Sequence, residues 1–418
     1  MKLCVMGLGY IGLPTAAVFS QFGCEVYGVD KKIEVVETLK QGKIHIEEPG
    51  LAEIIANAIN KNFTVGLEPK EADAFIISVP TPNKQDKYLS CDLTYVLDAC
   101  RSILPVLNKG NVVIVESTIA PRSMDDYIKP VFEQAGYTIG KDLYLAHCPE
   151  RVLPGKILYE LVYNNRIVGG ITTTCTEKAA GVYGLVVKGE ILKTEAKTAE
   201  LSKCMENTFR DVNIALANEL EKICYKLDIN CLDVIALANK HPRVNIHQPG
   251  PGVGGHCLAI DPYFICAQAP EEAQLIHLSR ETNRSMPYFV VEKVEMLVSG
   301  IENPKIALLG MTYKGNVDDL RESPSMEIAE ILNAKGYELA INEPYVTNKK
   351  FVTVEEAVKD ADLAVILTDH KIYQSLEFGT LAETMRVPQL FDTRNMIPVD
   401  VSNKLTVINY GNLYQYKK

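Results

Sequence analysis

Three glycines close to the N-terminus constrain the fold of this chain more than any other feature. Gly7, Gly9 and Gly12 follow an apolar, strand-like segment, Lys2–Met6, and precede a segment with helical periodicity, residues 14–22. A G-x-G-x-x-G turn between a strand and a helix is typical of dinucleotide-binding folds. Its first glycine permits the tight turn, the second lets the backbone approach a pyrophosphate, and the third lets helix and strand pack closely. We therefore predict that this segment binds the phosphates of a dinucleotide.

An acidic residue at the end of the next strand indicates which dinucleotide binds. The strand-like segment Glu25–Val29 is followed by Asp30, about 20 residues beyond the glycine turn. A carboxylate at this position accepts hydrogen bonds from a ribose 2′-hydroxyl and repels a 2′-phosphate, which favours NAD over NADP. The alternative is a glycine turn beside an ordinary surface aspartate.

Strand-like and helical segments alternate after this turn and recur in the C-terminal third. Further strands are predicted at 74–79, 112–115 and 143–146, which indicates a parallel sheet covered by helices on both faces. The segment 305–310 repeats the pattern of the first strand, and residues 336–342 repeat that of the second. Unrelated α/β segments can also share such patterns. We predict an α/β protein with two Rossmann-like, doubly wound domains joined by a long central helix.

The segment between the two copies, residues 194–239, contains neither glycine nor proline. Its apolar residues recur at helical spacing, and they are Leu201, Met205, Val212, Leu216, Leu220 and Ile223. This pattern predicts long helical structure. Its apolar face is larger than two domain contacts would cover, so we expect part of it to form a homodimer interface, or a higher homo-oligomer.

The second copy carries a turn of a different kind. Gly310-Met-Thr-Tyr-Lys-Gly315 follows the repeated strand but lacks the full glycine pattern, and two cations, Lys314 and Arg321, lie in or near it. Cations on a loop at a strand end suit a phosphate compound such as a nucleotide diphosphate. The alternative is a solvated basic loop.

One cysteine stands in an unusual setting. Residues 249–261 read PGPGVGGHCLAID, so four glycines precede Cys257 and Asp261 follows it by four positions. The glycines would let the backbone approach a ligand, and a helix starting at the cysteine would place Cys257 and Asp261 on one face. A thiolate beside NAD suggests attack on an aldehyde, hydride loss from the thiohemiacetal and hydrolysis of the thioester. The alternative for any cysteine is a small buried residue.

Candidate polar partners of this cysteine lie on the central helix and after a strand. Lys203 and Asn207 are four residues apart and Arg210 continues their face, so an ammonium and an amide could hold a developing oxyanion. Glu150 follows the strand at 143–146, at the edge where α/β sheets bind ligands, and could act as a general base. The alternatives are a solvated helix face and a surface carboxylate.

Composition excludes several classes of protein. The 418 residues carry a net charge of −10, so a basic nucleic-acid footprint is absent. No apolar run is long enough for a membrane span, and no secretion signal is visible. The eleven cysteines contain no C-x-x-C pair, which is typical of reduced thiols. We expect a cytoplasmic protein that binds neither nucleic acid nor membrane and holds no metal ion.

Over nearly its whole length, the chain resembles the UDP-glucose/GDP-mannose dehydrogenase superfamily. The resembling motifs occur in order: GLGYIGLP (7–14), VPTP (79–82), EST (116–118), CPER (148–151), Lys203 with Asn207, GGHC (254–257), YKGNVDDLRESP (313–324) and DTRN (392–395). The resemblance implies an NAD-binding domain over 1–193, a central helical dimerisation region with the cysteine loop over 194–300, and a UDP-binding domain over 301–418. It also implies that two NAD in succession oxidise a sugar C6 alcohol to a carboxylate.

The resemblance also implies roles for individual residues. Cys257 would be the nucleophile, and Lys203 and Asn207 would hold the oxygen that becomes anionic. Asp261 would assist proton transfer, and Glu150 and Thr118 would position water or cofactor. Contacts to NAD are expected from Gly7, Gly9, Tyr10, Ile11, Gly12, Asp30, Thr81, Thr118 and Arg321. Contacts to the UDP-sugar, in part from a neighbouring subunit, are expected from Arg151, Val152, Lys203, Asn207, Arg210, His241, Arg243, Gly254, Tyr313, Lys314 and Arg394.

Departures from the family pattern bear on the substrate. Members that oxidise UDP-glucose usually carry Ser and Lys where this chain has His256 and Ile260. Residues 241–264 most resemble members that oxidise UDP-N-acetylmannosamine for surface polysaccharide or glycan synthesis, and the UDP-N-acetylglucosamine enzymes are the nearest alternative. An epimerase with tethered NAD and a non-catalytic nucleotide-sugar or NAD sensor are alternatives of other classes. The family usually has Lys where this chain has Glu116, a change that the sequence leaves unexplained.

Overall fold

The strands form two sheets, one in each half of the chain. The computed structural model describes residues 1–255, 257–348 and 350–417. The chain divides into two compact units. Unit 1 comprises Met1–Glu206 and Tyr263–Glu272, and unit 2 comprises Asn207–Pro262 and Ala273–Lys418.

The sheet of unit 1 has the topology of a doubly wound fold. Its strands are β1 (Lys2–Met6), β2 (Glu25–Val29), β3 (Phe63–Gly66), β4 (Ala74–Ile77), β5 (Val112–Val115), β6 (Tyr144–His147), β7 (Arg166–Gly170) and β8 (Ile191–Glu195). They run in the order β3-β2-β1-β4-β5-β6-β7-β8, and β6 and β7 are an antiparallel pair in an otherwise parallel sheet. The order changes direction between β1 and β4, so the carboxyl ends of these strands border the crevice where such sheets bind ligands.

Helices cover both faces of this sheet. They are α1 (Gly12–Gln21), α2 (Ile33–Lys40), α3 (Leu51–Ala58), α4 (Thr94–Ile103), α5 (Lys129–Gln134), α6 (Ile157–Tyr163) and α7 (Thr173–Tyr183). Strands β4 and β5 are buried along their whole length, because central parallel strands are covered on both faces. Helix α1 is buried from Gly12 to Ser20, which explains why its sequence is apolar almost all round.

Two helices contribute residues to both units, α8 (Ala196–Leu227) and α10 (Asp261–Gln268). The other helices of unit 2 are α9 (Cys231–Ala238), α11 (Gln274–Arg284), α12 (Met286–Leu297), α13 (Pro324–Ala334), α14 (Val354–Val358) and α15 (Phe378–Thr384). Its strands are β9 (Lys305–Leu309), β10 (Glu338–Asn342), β11 (Leu363–Ile366), β12 (Gln389–Asp392) and β13 (Thr406–Asn409). They form a parallel sheet in the order β10-β9-β11-β12-β13.

The repeat seen in the sequence is a repeat of structure. The order β10-β9-β11 in unit 2 matches β2-β1-β4 in unit 1. The predicted α/β class, with two doubly wound parallel sheets and a long central helix, is confirmed. The central segment differs in one respect, because α8 ends at Leu227 and a second helix, α9, begins after a break. Asp228 has a left-handed φ of 61°, and the Asn230 side chain caps α9 by accepting hydrogen bonds from the N–H groups of Leu232 and Asp233.

A second difference concerns the cysteine loop. A helix start at Cys257, which would place Cys257 and Asp261 on one helix face, is not observed, because residues 257–260 form a turn and α10 begins at Asp261. The backbone N–H of Asp261 donates to the carbonyl oxygen of Cys257 over 2.9 Å, so the turn leads directly into the helix. None of the helices in the described part of the chain combines the length and hydropathy needed to cross a bilayer.

Candidate active site

The glycine turn after β1 is formed as the sequence predicts, and its glycines have different surroundings. Gly7 has a left-handed φ of 90°, and a Cβ there would lie 2.3 Å from the Ser78 carbonyl oxygen. A Cβ at Gly12 would lie 1.9 Å from the carbonyl oxygen of Gly7. A Cβ at Gly9 would meet no atom within 4 Å. The protein's own packing therefore requires Gly7 and Gly12, whereas Gly9 faces open space in which a ligand can approach the backbone.

The turn also fits the phosphates and ribose of NAD. Helix α1 begins at Gly12 with no side-chain cap and no acidic residue in its first turn, so the positive end of its dipole is available to an anion. The Asp30 carboxylate accepts hydrogen bonds from the N–H groups of Leu8, over 3.0 Å, and Lys32, over 2.9 Å. An ionised carboxylate has about four acceptor positions, so capacity remains for ribose hydroxyls. Tyr10 and Ile11 are the other predicted residues of the turn. Tyr10 is exposed and Ile11 is half-buried.

Two predicted threonines lie together at the carboxyl ends of β4 and β5. The Thr81 hydroxyl donates to the Thr118 carbonyl oxygen over 2.7 Å. Beside them, the Ser117 hydroxyl accepts from the Val79 N–H over 2.8 Å and donates to the Val79 carbonyl oxygen over 2.7 Å. These bonds join the two loops at the crevice edge of the sheet. They place Thr81 and Thr118 where a ligand above the strand ends would lie.

Glu150 has a partner that sequence reasoning missed. One of its carboxylate oxygens accepts from the Arg166 guanidinium, and the other accepts from the Arg151 N–H over 2.6 Å. Arg166 is the first residue of β7 and is almost completely buried. No local pattern marks it, because its importance comes from the antiparallel β6–β7 pairing, which brings distant residues together.

Arg151 and Val152 are held within unit 1. The Arg151 guanidinium contacts the Glu206 carboxylate over 2.7 Å and the Asn165 carbonyl oxygen over 2.6 Å. Val152 is half-buried against the main hydrophobic cluster of this unit. Their predicted contacts to the sugar nucleotide stay predictions.

Helix α8 presents two of the predicted polar residues one turn apart. Asn207 is buried, and its amide nitrogen donates to the Asp261 carboxylate over 2.6 Å. Lys203, also buried, lies one turn earlier. Near Lys203 lies His147, which the sequence analysis missed. Burial, with a smaller effect of the Lys203 charge, lowers the pKa of His147 to about 3, and the neutral ring donates from Nδ1 to the Val115 carbonyl oxygen over 2.9 Å.

Of the eleven cysteines, all within the described residues, Cys257 alone is exposed. The glycines before it pack against the chain's own atoms. A Cβ at Gly254 would lie 2.3 Å from the Glu322 carbonyl oxygen, and a Cβ at Gly255 would lie 2.6 Å from the Tyr313 ring. The two glycines therefore let the cysteine loop pack closely against the turn at residues 310–315 and the segment that follows it. The neighbouring His256, which bears on sugar choice, lies outside the described residues.

The electrostatics of Tyr313 show which charges surround this loop. Burial, then the negative charges of Asp319 and Cys257, raises the pKa of Tyr313, and the cations of Arg321 and Arg210 oppose the rise. The structure thus groups the Tyr313 phenol with the Cys257 thiol and with Arg210. The Arg321 guanidinium also pairs with Asp319, at 2.7 Å. Its predicted contact with NAD stays a prediction.

The second turn repeats the geometry of the first with other residues. Gly310 has the same φ of 90° as Gly7. Glu343, directly after β10, accepts hydrogen bonds from the N–H groups of Met311, over 2.7 Å, and Thr312, over 3.1 Å, and also contacts the buried His370 at 3.0 Å. It occupies the place that Asp30 has in unit 1. The signal for Glu343 was present, because it directly follows the segment 336–342 that repeats the second strand.

The predicted cations of unit 2 gather at the carboxyl edge of its sheet. Asp369 follows β11, accepts from the Gly315 N–H over 3.1 Å and pairs with Arg394 at 3.2 Å. Lys314, one residue before Gly315, is exposed. His241 and Arg243 are exposed after α9, so the structure leaves their predicted role untested. Among the described residues, no group of three or more His, Cys, Asp or Glu side chains could hold a metal ion.

Sequence models of one family match the chain in three consecutive parts. They are the NAD binding domain, the central domain and the UDP binding domain of the UDP-glucose/GDP-mannose dehydrogenase family, and they match residues 1–187, 197–285 and 307–399. The first match covers the glycine turn and Asp30, and the third covers the cations of unit 2.

Known proteins are similar over almost the whole chain. A UDP-N-acetyl-D-mannosamine dehydrogenase of Methanococcus maripaludis is 46% identical over 406 residues, which cover 95% of this chain and 93% of the relative. An NDP-N-acetyl-D-galactosaminuronic acid dehydrogenase of Ralstonia nicotianae is 43% identical over 414 residues, which cover 94% of this chain and 96% of the relative. The solved UDP-N-acetyl-mannosamine dehydrogenase from S. aureus has a TM-score of 0.93 and 52% identity, with 100% of each chain covered.

The fold, the NAD turn and these similarities define the class of protein. It is an NAD-dependent oxidoreductase that acts on a nucleotide sugar. The chain belongs to the UDP-glucose/GDP-mannose dehydrogenase family.

Proposed function

We propose that this protein oxidises C6 of UDP-N-acetylmannosamine to a carboxylate, with two NAD reduced in succession. The observation that carries the chemistry is the exposed thiol of Cys257. It lies four residues before Asp261, whose buried carboxylate accepts a hydrogen bond from the Asn207 amide. The similarity to enzymes named for this sugar, at 46% and 52% identity, supports the choice of substrate. The product is a uronate for surface polysaccharide or glycan synthesis.

NAD accepts one hydride in each of the two oxidations. The first oxidation converts the C6 alcohol to an aldehyde, and the Cys257 thiolate then attacks the aldehyde carbon to form a thiohemiacetal. Loss of a second hydride gives a thioester. Water then forms the new C–O bond, the C–S bond breaks and the Cys257 thiolate is released.

The polar residues on α8 and α10 stabilise the charge that develops during these steps. Lys203 and the free N–H of the Asn207 amide hold the oxygen that becomes anionic, because an amide nitrogen has two hydrogens and Asp261 takes one. Asp261 assists proton transfer near Cys257, to whose carbonyl its own N–H is bonded. Glu150 and Thr118 position the water or the cofactor.

The binding residues are those that the family resemblance implies. NAD contacts Gly7, Gly9, Tyr10, Ile11, Gly12, Asp30, Thr81, Thr118 and Arg321. The UDP-sugar contacts Arg151, Val152, Arg210, His241, Arg243, Gly254, Tyr313, Lys314 and Arg394. The domain boundaries 1–193, 194–300 and 301–418 belong to the same proposal. The reaction takes place in the cytoplasm, where cysteines such as the eleven of this chain are kept as thiols.

The active form is a homodimer, or a higher homo-oligomer, assembled through α8. Large apolar side chains of α8 are more than one-third exposed, and they are Leu201, Met205, Phe209, Leu216, Ile223 and Leu227. At 3.6 residues per turn these six side chains lie within an arc of about 80° around the helix axis, so they share one face of the helix. An apolar stripe of this kind is typical of an interface.

The proposed sugar has alternatives of the same class. The relative named for N-acetyl-D-galactosaminuronic acid is 43% identical, and UDP-N-acetylglucosamine and UDP-glucose are the other candidates. A comparison of kcat/KM for UDP-N-acetylmannosamine and these sugars tests the choice, and a clear preference for another sugar contradicts it. Two NADH per sugar excludes an epimerase and a non-catalytic sensor.

The thioester route is tested by Cys257→Ala. We expect overall turnover to fall by at least about 10³-fold, as for removal of other nucleophiles, with NAD and sugar binding retained. The matched control is Cys24→Ala, a buried thiol before β2, which should keep its turnover. Formation of uronate by Cys257→Ala at the wild-type rate would show that the route is wrong.

A further inference from the structure

A single buried arginine joins two carboxylates in unit 1. The Arg166 side chain is only 5% exposed. Its Nη1 donates to Glu150, its Nη2 donates to Glu116, and its Nε donates to the Cys148 sulfur over 3.2 Å. All three sides of the guanidinium fork therefore have an acceptor, which fixes its plane.

Glu116 is held from its other side as well. Its carboxylate accepts from the Thr15 hydroxyl and from the Tyr183 phenol, each over 3.1 Å. The Arg166 guanidinium lies over the Tyr183 ring, 4.4 Å from its centroid. Thr15 is in the first half of α1, the helix that begins at the dinucleotide turn. The network thus connects the NAD helix with Glu150.

The polar groups around Arg166 that are not carboxylates keep one charge state near neutral pH. Burial raises the pKa of Cys148 to about 11 and that of Tyr183 well above its usual range. The nearby His147 ring is neutral, because burial lowers its pKa to about 3. Burial also raises the pKa of Glu116, while the Arg166 guanidinium opposes the rise and the Glu150 charge adds to it.

We propose that Arg166 is a positioning residue for Glu150, and that Glu116 is the counter-charge that allows a buried arginine at this place. Arg166 holds the Glu150 carboxylate in a fixed orientation, so that it can take a proton from the water that hydrolyses the thioester. This role rests on the proposed function of Glu150. In that step the water oxygen bonds to the carbonyl carbon, the C–S bond breaks with its electron pair on the Cys257 sulfur, and Glu150 takes one water proton.

The arrangement explains why this chain has Glu116 where related sequences usually have lysine. A lysine ammonium beside the buried Arg166 guanidinium would place two like charges in an apolar setting, which is strongly unfavourable. Glu116 instead neutralises the guanidinium. The bonds from the Arg151 N–H and the Arg166 guanidinium use one acceptor position on each oxygen of Glu150, and a carboxylate has about four, so water can still be bound.

The test is the pH dependence of kcat in Arg166→Gln. A general base acts in its charged form. Without the guanidinium, two buried carboxylates lie beside each other with no cation between them, which disfavours that form. We expect the acid limb of kcat to move by at least about one pH unit to higher pH, which is about a 10-fold loss at a pH on that limb. KM for NAD and for the sugar should stay within about 3-fold of the wild-type values.

A second variant separates charge from folding. Glu116→Gln combined with Arg166→Gln removes both charges of the pair. Because no buried carboxylate at position 116 is then left without its arginine, this variant tests the same idea if Arg166→Gln does not fold. Its acid limb should lie between those of wild type and Arg166→Gln. The control is Arg101→Met, which removes an exposed arginine paired with Asp98 and should leave the profile unchanged. Acid limbs at the same pH in all these proteins would overturn the proposal.

Glu150→Gln distinguishes this proposal from the proposed function. The variant should form the thioester and release NADH in a rapid burst, and then hydrolyse the thioester slowly. Unchanged hydrolysis in Glu150→Gln would contradict the role of Glu150 and the positioning role together. Slow hydrolysis in Glu150→Gln with an unshifted limb in the Arg166 variants would overturn the positioning role alone.

Discussion

The two units build the same turn from different residues. The first glycine has a φ of 90° in each, and a Cβ there would clash with a residue just beyond a neighbouring strand of the sheet, Ser78 after β4 in unit 1 and Thr368 after β11 in unit 2. A Cβ at the last glycine would lie 1.9 Å from the Gly7 carbonyl oxygen in unit 1 and 2.2 Å from that of Asp369 in unit 2. The outer glycines are therefore demanded by packing, whatever the ligand.

What differs is what surrounds the turn. In unit 1 the helix begins at the last glycine, Gly12, and Gly9 leaves open space above the backbone. In unit 2 the middle position is Thr312, and helix α13 begins only at Pro324. The first turn offers bare backbone and a helix N-terminus to a pyrophosphate, whereas we propose that the second binds its nucleotide through side-chain cations such as Lys314 and Arg394. The same turn would then serve two nucleotides through two kinds of contact.

The largest effect is expected from adding a methyl group to the last glycine of each turn. Gly12→Ala and Gly315→Ala should each lower the free energy of unfolding by about 3 kcal/mol, because the new Cβ meets backbone that cannot move aside. Gly9→Ala, with open space at its Cβ, is the matched control and should keep the stability of the wild type. Urea unfolding measures all three. A Gly12→Ala protein as stable as Gly9→Ala would break the packing argument.

An intermediate effect is expected at the end of the second strand of unit 1. Asp30→Ala should weaken NAD by about 10- to 100-fold, since a hydrogen bond to a charged group contributes about 1.5–3 kcal/mol, and should weaken NADP less. Asp30→Asn keeps only one of the two oxygens that accept from the N–H groups of Leu8 and Lys32, so it serves as the control that removes the charge without shortening the side chain. Calorimetric titration with each dinucleotide gives the affinities. Equal weakening of both would refute the ribose assignment.

The smallest effect concerns the counterpart carboxylate, Glu343. Burial favours its neutral form, but hydrogen bonds from His370 and from the N–H groups of Tyr345 and Met311 outweigh burial and lower its pKa. A lowered carboxyl pKa stabilises the folded protein above the unfolded value of 4.5, and this stability is lost as the pH falls through the folded value. Glu343→Gln should therefore be less stable than wild type at pH 7, and the difference should shrink below pH 4.5. Urea midpoints across this range measure it, and a constant difference would contradict the assignment.

Several parts of the site could be predicted because each depends on residues that are close together in the sequence. The glycine spacing, Asp30 after β2 and the glycine-flanked Cys257 are each readable within a short segment, because a turn, a strand end or a loop is a local structure. The break at Asp228 was less visible, since one left-handed residue and the Asn230 cap interrupt a segment without glycine or proline. The start of α10 at Asp261 could not be located from the sequence, because the turn at 257–260 contains neither glycine nor proline.

Other parts required the fold. Arg166 is distant in sequence from both Glu116 and Glu150, and only the antiparallel pairing of β6 with β7 brings the three side chains together. The Asn207–Asp261 bond likewise joins two helices that no spacing rule relates.

The sequence by itself determined the class of fold, the dinucleotide and the choice of one cysteine among eleven, since these depend on backbone freedom and on strand and helix periodicity. The tertiary structure decided which charges are buried together, that Glu116 has a partner and that the glycines before Cys257 pack against the second turn. Burial and long-range contact set charge states and side-chain partners, and neither can be read from neighbouring residues in the chain.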